Sequence, residues 1–140
     1  MSALPFLYNV YESECPTRLV LGRLADKWAL LILDRLSAGP MRFSVLKRDI
    51  KRITQKVLTQ TLRKLERDGL ISRTVTATSV PVSVEYALTP LGDTLTDTIK
   101  TFAHWAERHM DAVLAAQAAF DAAAEASRAP AAGSVVHRLR

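Results

Sequence analysis

The hydrophobic period changes once between Thr54 and Leu88, and that change limits the fold more than any other feature of the chain. Leu58, Leu62 and Leu65 fall at i, i+4 and i+7, so on a helix they share one stripe facing a core. The opposite side is left to Gln55, Lys56, Thr59, Gln60 and Arg63. Thr54 is a good N-cap for such a helix and Gly69 a stop, which places it from Thr54 to about Asp68. Beyond Gly69 the pattern turns β-like. Leu70 to Thr76 and Val84 to Leu88 are rich in Ile, Val, Thr and Tyr and flank a polar loop containing Pro81, which predicts a two-stranded hairpin.

Upstream, residues 1–14 read as a tail. Cys15-Pro16-Thr17-Arg18 starts a first helix, with Pro16 where its missing N–H costs nothing and with Leu19, Leu21 and Leu24 as the apolar side. Asp26 caps a second helix to about Ser37, in which Trp28, Leu31, Ile32 and Leu36 follow the helical period, and Gly39-Pro40 stops it. Ser44 is the expected cap of a short third helix carrying Val45, Leu46 and Ile50. Downstream, Thr89-Pro90 restarts a helix that no Gly or Pro interrupts between Asp93 and Arg128. Leu95, Ile99, Phe102, Ala106, Met110 and Val113 recur along it at steps of three and four, a seam suited to another helix. Thirty-odd helical residues span about 50 Å, more than a domain of this size covers alone, so a second copy of the chain is expected against that seam. From Ser127 onward the sequence predicts a flexible tail. The resulting domains are a tail (1–14), a helix-hairpin domain (15–92), a dimerisation helix (93–126) and a tail (127–140).

Charge supplies the functional clue. The net charge is +5, yet Arg42 to Arg73 alone holds ten bases against three acids, so the remainder of the chain is net negative. The order of helices, hairpin and long helix describes a mainly α winged helix-turn-helix with a small β-hairpin and a C-terminal helical extension. In such a module the fourth helix enters the major groove of double-stranded DNA, where Gln pairs with adenine and Arg or Lys with guanine. Gln55, Lys56, Thr59, Gln60 and Arg63 are therefore the candidate base readers. Arg42, Ser44, Lys47, Lys51, Arg52 and Lys64 are the candidate phosphate contacts, giving salt-dependent affinity without sequence preference. Leu95, Ile99, Phe102, Ala106 and Met110 are the candidate dimer interface.

Other chemistry is not indicated. Cys15 is the sole cysteine, so no intrachain disulfide can form. His104 and His109 are five apart rather than four, and no structural metal or cofactor is expected. No nucleophile–base–acid set or phosphate-cradling glycine loop marks an enzyme. The run Ala29 to Leu33 is far too short to span a membrane and no basic residue precedes Arg18, so a cytoplasmic location is expected. A competing class is a winged-helix module whose polar face docks on an acidic protein instead of DNA. Space near Trp28, Phe102 and Trp105 is a candidate small-molecule effector site, although aromatics at helical spacing more often form core.

The chain also resembles the HxlR family of bacterial transcription factors over residues 15–106. The resemblance is carried by Cys15-Pro16, the run Lys27 to Leu33, Arg42-Phe43-Ser44, Ile53 to Gln60, Leu62-Arg63, Leu65-Glu66, Asp68 to Ile71 and Val84 to Gly92. It implies a homodimer that binds a roughly palindromic operator and dimerises through N- and C-terminal dimerisation helices, the first and last of the chain, which adds Leu19 to the candidate dimer interface. Three positions depart from the family pattern: Val45, Ala25-Asp26 before Lys27-Trp28, and Ser83 at the end of an uncharged loop from Ala77, which leaves wing contact with DNA open. Cys15 has two readings. One is a small buried residue at a helix start; the other, which the resemblance implies, is a sensor of oxidants or electrophiles. Helix N–H groups and Arg18 favour its thiolate, while Glu12 and Glu14 oppose it.

Overall fold

The computed structural model describes residues 8–138, with side chains through Arg128. Three N-terminal helices form α1 (Pro16–Leu24), α2 (Lys27–Leu36) and α3 (Phe43–Asp49), with a short strand β1 (Met41–Arg42) before the third. Then follow α4 (Gln55–Arg67), the strands β2 (Ile71–Thr76) and β3 (Ser83–Leu88), the single turn α5 (Pro90–Asp93) and the long α6 (Thr96–Arg138). The chain divides into two compact units, Met1–Lys100 and Thr101–Arg140.

Capping residues set the helix starts. The Asp26 carboxylate accepts the N–H of Trp28 at 3.0 Å, and the Thr54 hydroxyl accepts that of Val57 at 3.1 Å. At the end of α4, Gly69 takes φ +78° and its N–H reaches the Glu66 carbonyl, while the Leu70 N–H reaches that of Leu65. These two bonds make a Schellman motif, closed by the buried pair Leu65 and Leu70.

The core of the first unit joins Ile32, Leu33 and Leu36 of α2 to Leu46, Ile50, Ile53, Leu58, Leu62 and Leu65, and to Ile71 and Tyr86 of the sheet. The three leucines expected to form the α4 stripe do so, and Thr61 shares it, its hydroxyl donating to the Val57 carbonyl at 2.7 Å. On α2 the buried phase is Ala29, Ile32, Leu33 and Leu36, with Trp28 packed at its edge, whereas Leu31 is 45% exposed. A run of six apolar residues fits either phase, and the capped start of the helix decides which one faces inward.

Several boundaries differ from the sequence expectation. The hairpin gains a third strand: β1 pairs antiparallel with β3, Met41 opposite Tyr86 and Arg42 opposite Glu85, giving the order β1-β3-β2. Because that pairing holds Arg42 extended, α3 starts at Phe43, and Ser44 lies inside the helix rather than capping it. Thr89 caps as expected, accepting the Gly92 N–H at 3.0 Å. The helix it opens is nonetheless brief, because the Thr94 hydroxyl donates to the Leu91 carbonyl and competes with the ladder before α6 begins.

The described part of the N-terminal tail, residues 8–14, folds into a turn. The Arg18 guanidinium ties it down, donating to the Val10 and Tyr11 carbonyls at 3.0 and 3.1 Å. Instead of a tail from Ser127, α6 extends to Arg138, since Ala is the strongest helix former and dominates residues 112–126. Residues 1–7, 139 and 140 lie outside the described set.

Candidate nucleic-acid interface

The turn between α3 and α4 sets the site. Ile50 and Ile53 are buried on either side of it, and the Ile53 N–H donates to the Ile50 carbonyl at 3.3 Å. Reversing the chain between those anchors puts Arg52 at φ +71°, a left-handed conformation costing a non-glycine residue about 1–2 kcal/mol. The geometry leaves Lys51 and Arg52 in solvent at the entry to α4.

Gln55, Lys56, Thr59, Gln60 and Arg63 are all exposed on the side of α4 opposite its leucines. Arg42, Ser44, Lys47, Lys51, Arg52 and Lys64 are exposed as well. Among the described residues none of these cations is held in an ion pair. Two of the three acids within the basic stretch are instead spent on other arginines. Asp68, at the C-terminal end of α4, accepts two bonds from Arg23 of α1 at 2.6 and 3.0 Å. Asp49 accepts from Arg35 of α2 at 2.6 Å and from Arg48 at 3.1 Å. The polar face of α4 therefore carries free donors and an unneutralised positive field.

Arg48 and Arg35 together hold the Asp49 carboxyl below its ordinary value of 3.8, against the opposing effect of burial. A depressed carboxylate contributes stability above its unfolded-state pKa, and that contribution is lost as pH falls through the folded-state value. The α2–α3 tie should thus weaken only below about pH 4. Asp49→Asn is expected to lower the melting temperature at pH 7 and to leave a smaller decline between pH 5 and about pH 2.5 than the wild type shows. Parallel acid limbs for the two proteins would contradict this assignment.

Cys15 is only 8% exposed. Its Sγ lies 3.2 Å from the Thr17 hydroxyl and accepts the Asn9 N–H at 3.3 Å. Thr17 is the main reason the thiol pKa falls below its ordinary value; Asn9 adds to this, while burial and Glu12 oppose it. The Arg18 guanidinium, expected to favour the thiolate, donates to backbone carbonyls of the turn rather than to the sulfur.

The expected dimer residues separate into two groups. Ile99 is 6% exposed and joins the core of its own chain, with Leu95 packed against that core, so both are already occupied within the protomer. Leu19 (67%), Phe102 (59%) and Met110 (43%) remain exposed, and Ala106 is half-buried. Trp105 is also exposed, stacked on His109 with ring centroids 4.9 Å apart. Of the three aromatics, Trp28 packs partly buried against the core, whereas Phe102 and Trp105 are exposed on the protomer. Sequence reading missed Arg35, Arg48 and the strand β1. Arg48 gave a signal only by adjoining Asp49, and Arg35, fourteen residues away, gave none.

Helices α3 and α4 with their turn, followed by the β2–β3 wing on a three-stranded sheet, define a winged helix-turn-helix protein. An HxlR-like helix-turn-helix family model matches residues 23–113. The chain belongs to that family and is a transcriptional regulator of the helix-turn-helix type. It is 40% identical to the HTH-type transcriptional regulator YtfH of Escherichia coli over 107 residues, covering 76% of this chain and 84% of the relative. Among solved structures, the transcriptional regulator ytfH from Salmonella typhimurium superposes with a TM-score of 0.74 at 39% identity, covering 79% of this chain and 97% of that one. The redox regulator HypR in its oxidized form gives 0.62 at 36% identity, covering 67% and 96%. Among the described residues, no helix is long and apolar enough to cross a membrane.

Proposed function

We propose that the protein is a homodimeric regulator that binds a roughly palindromic DNA operator and responds to oxidants or electrophiles through Cys15. The observation carrying the DNA reading is the exposed, ion-pair-free face of α4, whose Gln55, Lys56, Thr59, Gln60 and Arg63 match the donors and acceptors of base edges. Arg42, Ser44, Lys47, Lys51, Arg52 and Lys64 surround it and hold phosphates. The partner copy covers Leu19, Phe102, Ala106 and Met110, which the protomer leaves partly or wholly in solvent. Family membership supports both readings.

The test is a shift assay at low salt with duplex fragments from beside the protein's own gene, alongside sedimentation of the free protein. Sequence-selective binding by a dimer is expected; absence of binding to every fragment would defeat the DNA reading. For Cys15, the support is a thiol stabilised toward thiolate by Thr17 and Asn9, together with similarity to a protein described as a redox regulator. Hydrogen peroxide is expected to release operator DNA from the wild type. Cys15→Ser should bind the operator yet fail to respond, and an undiminished response in that variant would exclude the thiol.

A further inference from the structure

A groove of about 510 Å³ lies between the wing and the entry to α3, within the size range of small-molecule sites. It exists because β1 is only two residues long and covers just Glu85 and Tyr86 of β3. The Ser83–Val84 end of β3 has no strand on that side, since the chain turns into α3 at Phe43. The wing loop forms the facing wall. Its shape is held by Ser79, whose Oγ lies 3.0 Å from the carbonyl oxygens of both Thr76 and Pro81 and donates to one of them.

The lining has a defined chemistry. Phe43, Tyr86, Pro81 and Val82 give it an apolar body. Among the described residues that line it, Arg42 alone is charged and none is acidic. Glu85, the cross-strand neighbour of Arg42, makes no ion pair with that guanidinium among the described residues. Val80 is 98% exposed and Val82 59%, apolar surface at a loop tip that has no cation to offer a phosphate. An apolar slot with a single free guanidinium at one end complements a compact molecule with rings and one carboxylate, which Arg binds in bidentate fashion.

We propose that this groove binds a small organic anion of one or two rings, its carboxylate on Arg42 and its rings among Phe43, Pro81 and Val82. The anion then competes with a DNA phosphate for the same guanidinium, a consequence that rests on the DNA-binding reading above. Occupation of the groove thereby lowers operator affinity without involving Cys15.

Calorimetry on the full chain tests the site directly, with 2-naphthoate as the probe and 2-naphthamide, of the same shape but neutral, as its control. Naphthoate is expected to bind with a Kd of about 1 mM or below, and the amide at least about tenfold more weakly. Arg42→Gln should weaken naphthoate by about tenfold, and Val82→Trp, which fills the groove from an exposed position, should abolish binding. In anisotropy measurements naphthoate should raise the Kd of the wild type for operator DNA and leave that of Val82→Trp unmoved. Equal binding of amide and acid, unchanged binding by either variant, or DNA affinity indifferent to bound naphthoate would each overturn the proposal. If the protein binds no DNA but shows Arg42-dependent heat with naphthoate, the anion site stands and the DNA reading alone falls.

Discussion

Gly92→Ala is expected to destabilise the protein by about 3 kcal/mol or more, lowering its melting temperature by roughly 10 °C. A Cβ at Gly92 would stand 2.0 Å from the Leu70 carbonyl oxygen and 3.0 Å from its carbon. Both atoms belong to backbone, so no side chain can rotate away to make room. The same oxygen accepts the Thr89 N–H at 3.1 Å, and the Thr89 hydroxyl donates to the Gly69 carbonyl. Relieving the clash therefore breaks the contacts that lock α5 onto the start of β2, and with them the placement of Leu95 and Ile99 in the core. Thermal unfolding followed by circular dichroism reads the effect. An unchanged melting temperature would mean that α5 does not lie this close to Leu70 in solution.

The second large effect is on recognition. Arg63→Ala should reduce discrimination between operator and unrelated duplex by about 1–3 kcal/mol, roughly 5- to 150-fold, because a base-edge contact is lost. Lys51→Ala should weaken all duplexes alike and make the logarithmic salt slope shallower by about one. Anisotropy titrations over a salt series separate the two. Equal losses on operator and random DNA for Arg63→Ala would remove it from the base-reading set and leave it among the phosphate contacts.

The features legible in the sequence were those written by period, cap or local charge. Thr54, Gly69 and the leucines at 58, 62 and 65 specify α4 by themselves, and the exposed side of that helix follows from the buried one. Thr61 was legible in principle, since it stands three residues after Leu58 and four before Leu65, on the same stripe. What escaped depends on contacts between distant segments. Two residues of β1 cannot display a period, and only pairing with Tyr86 and Glu85 makes them a strand. That pairing in turn moves the N-cap position of α3 from Ser44 to Arg42. The close approach behind Gly92 is likewise a tertiary fact, invisible in a short helix whose glycine has no special backbone angle. Leu95 and Ile99 have the spacing of an interhelical seam, and within the protomer Ile99 is buried in the core with Leu95 packed partly buried against it. For the candidate site, exposure and charge were readable, whereas the removal of Asp49 and Asp68 by Arg35, Arg48 and Arg23 was not.

The forked bond between Arg23 and Asp68 has a mechanical side. Helix α1 starts at the buried thiol and ends one residue after this arginine, which grips the C-terminal end of α4. Nine residues of helix are too short to bend appreciably, so α1 works as a strut. If the thiol responds as proposed, a displacement of the first turn of α1 would reach α4 through Asp68, and a small chemical change at one edge of the protomer would be read as misalignment at the other.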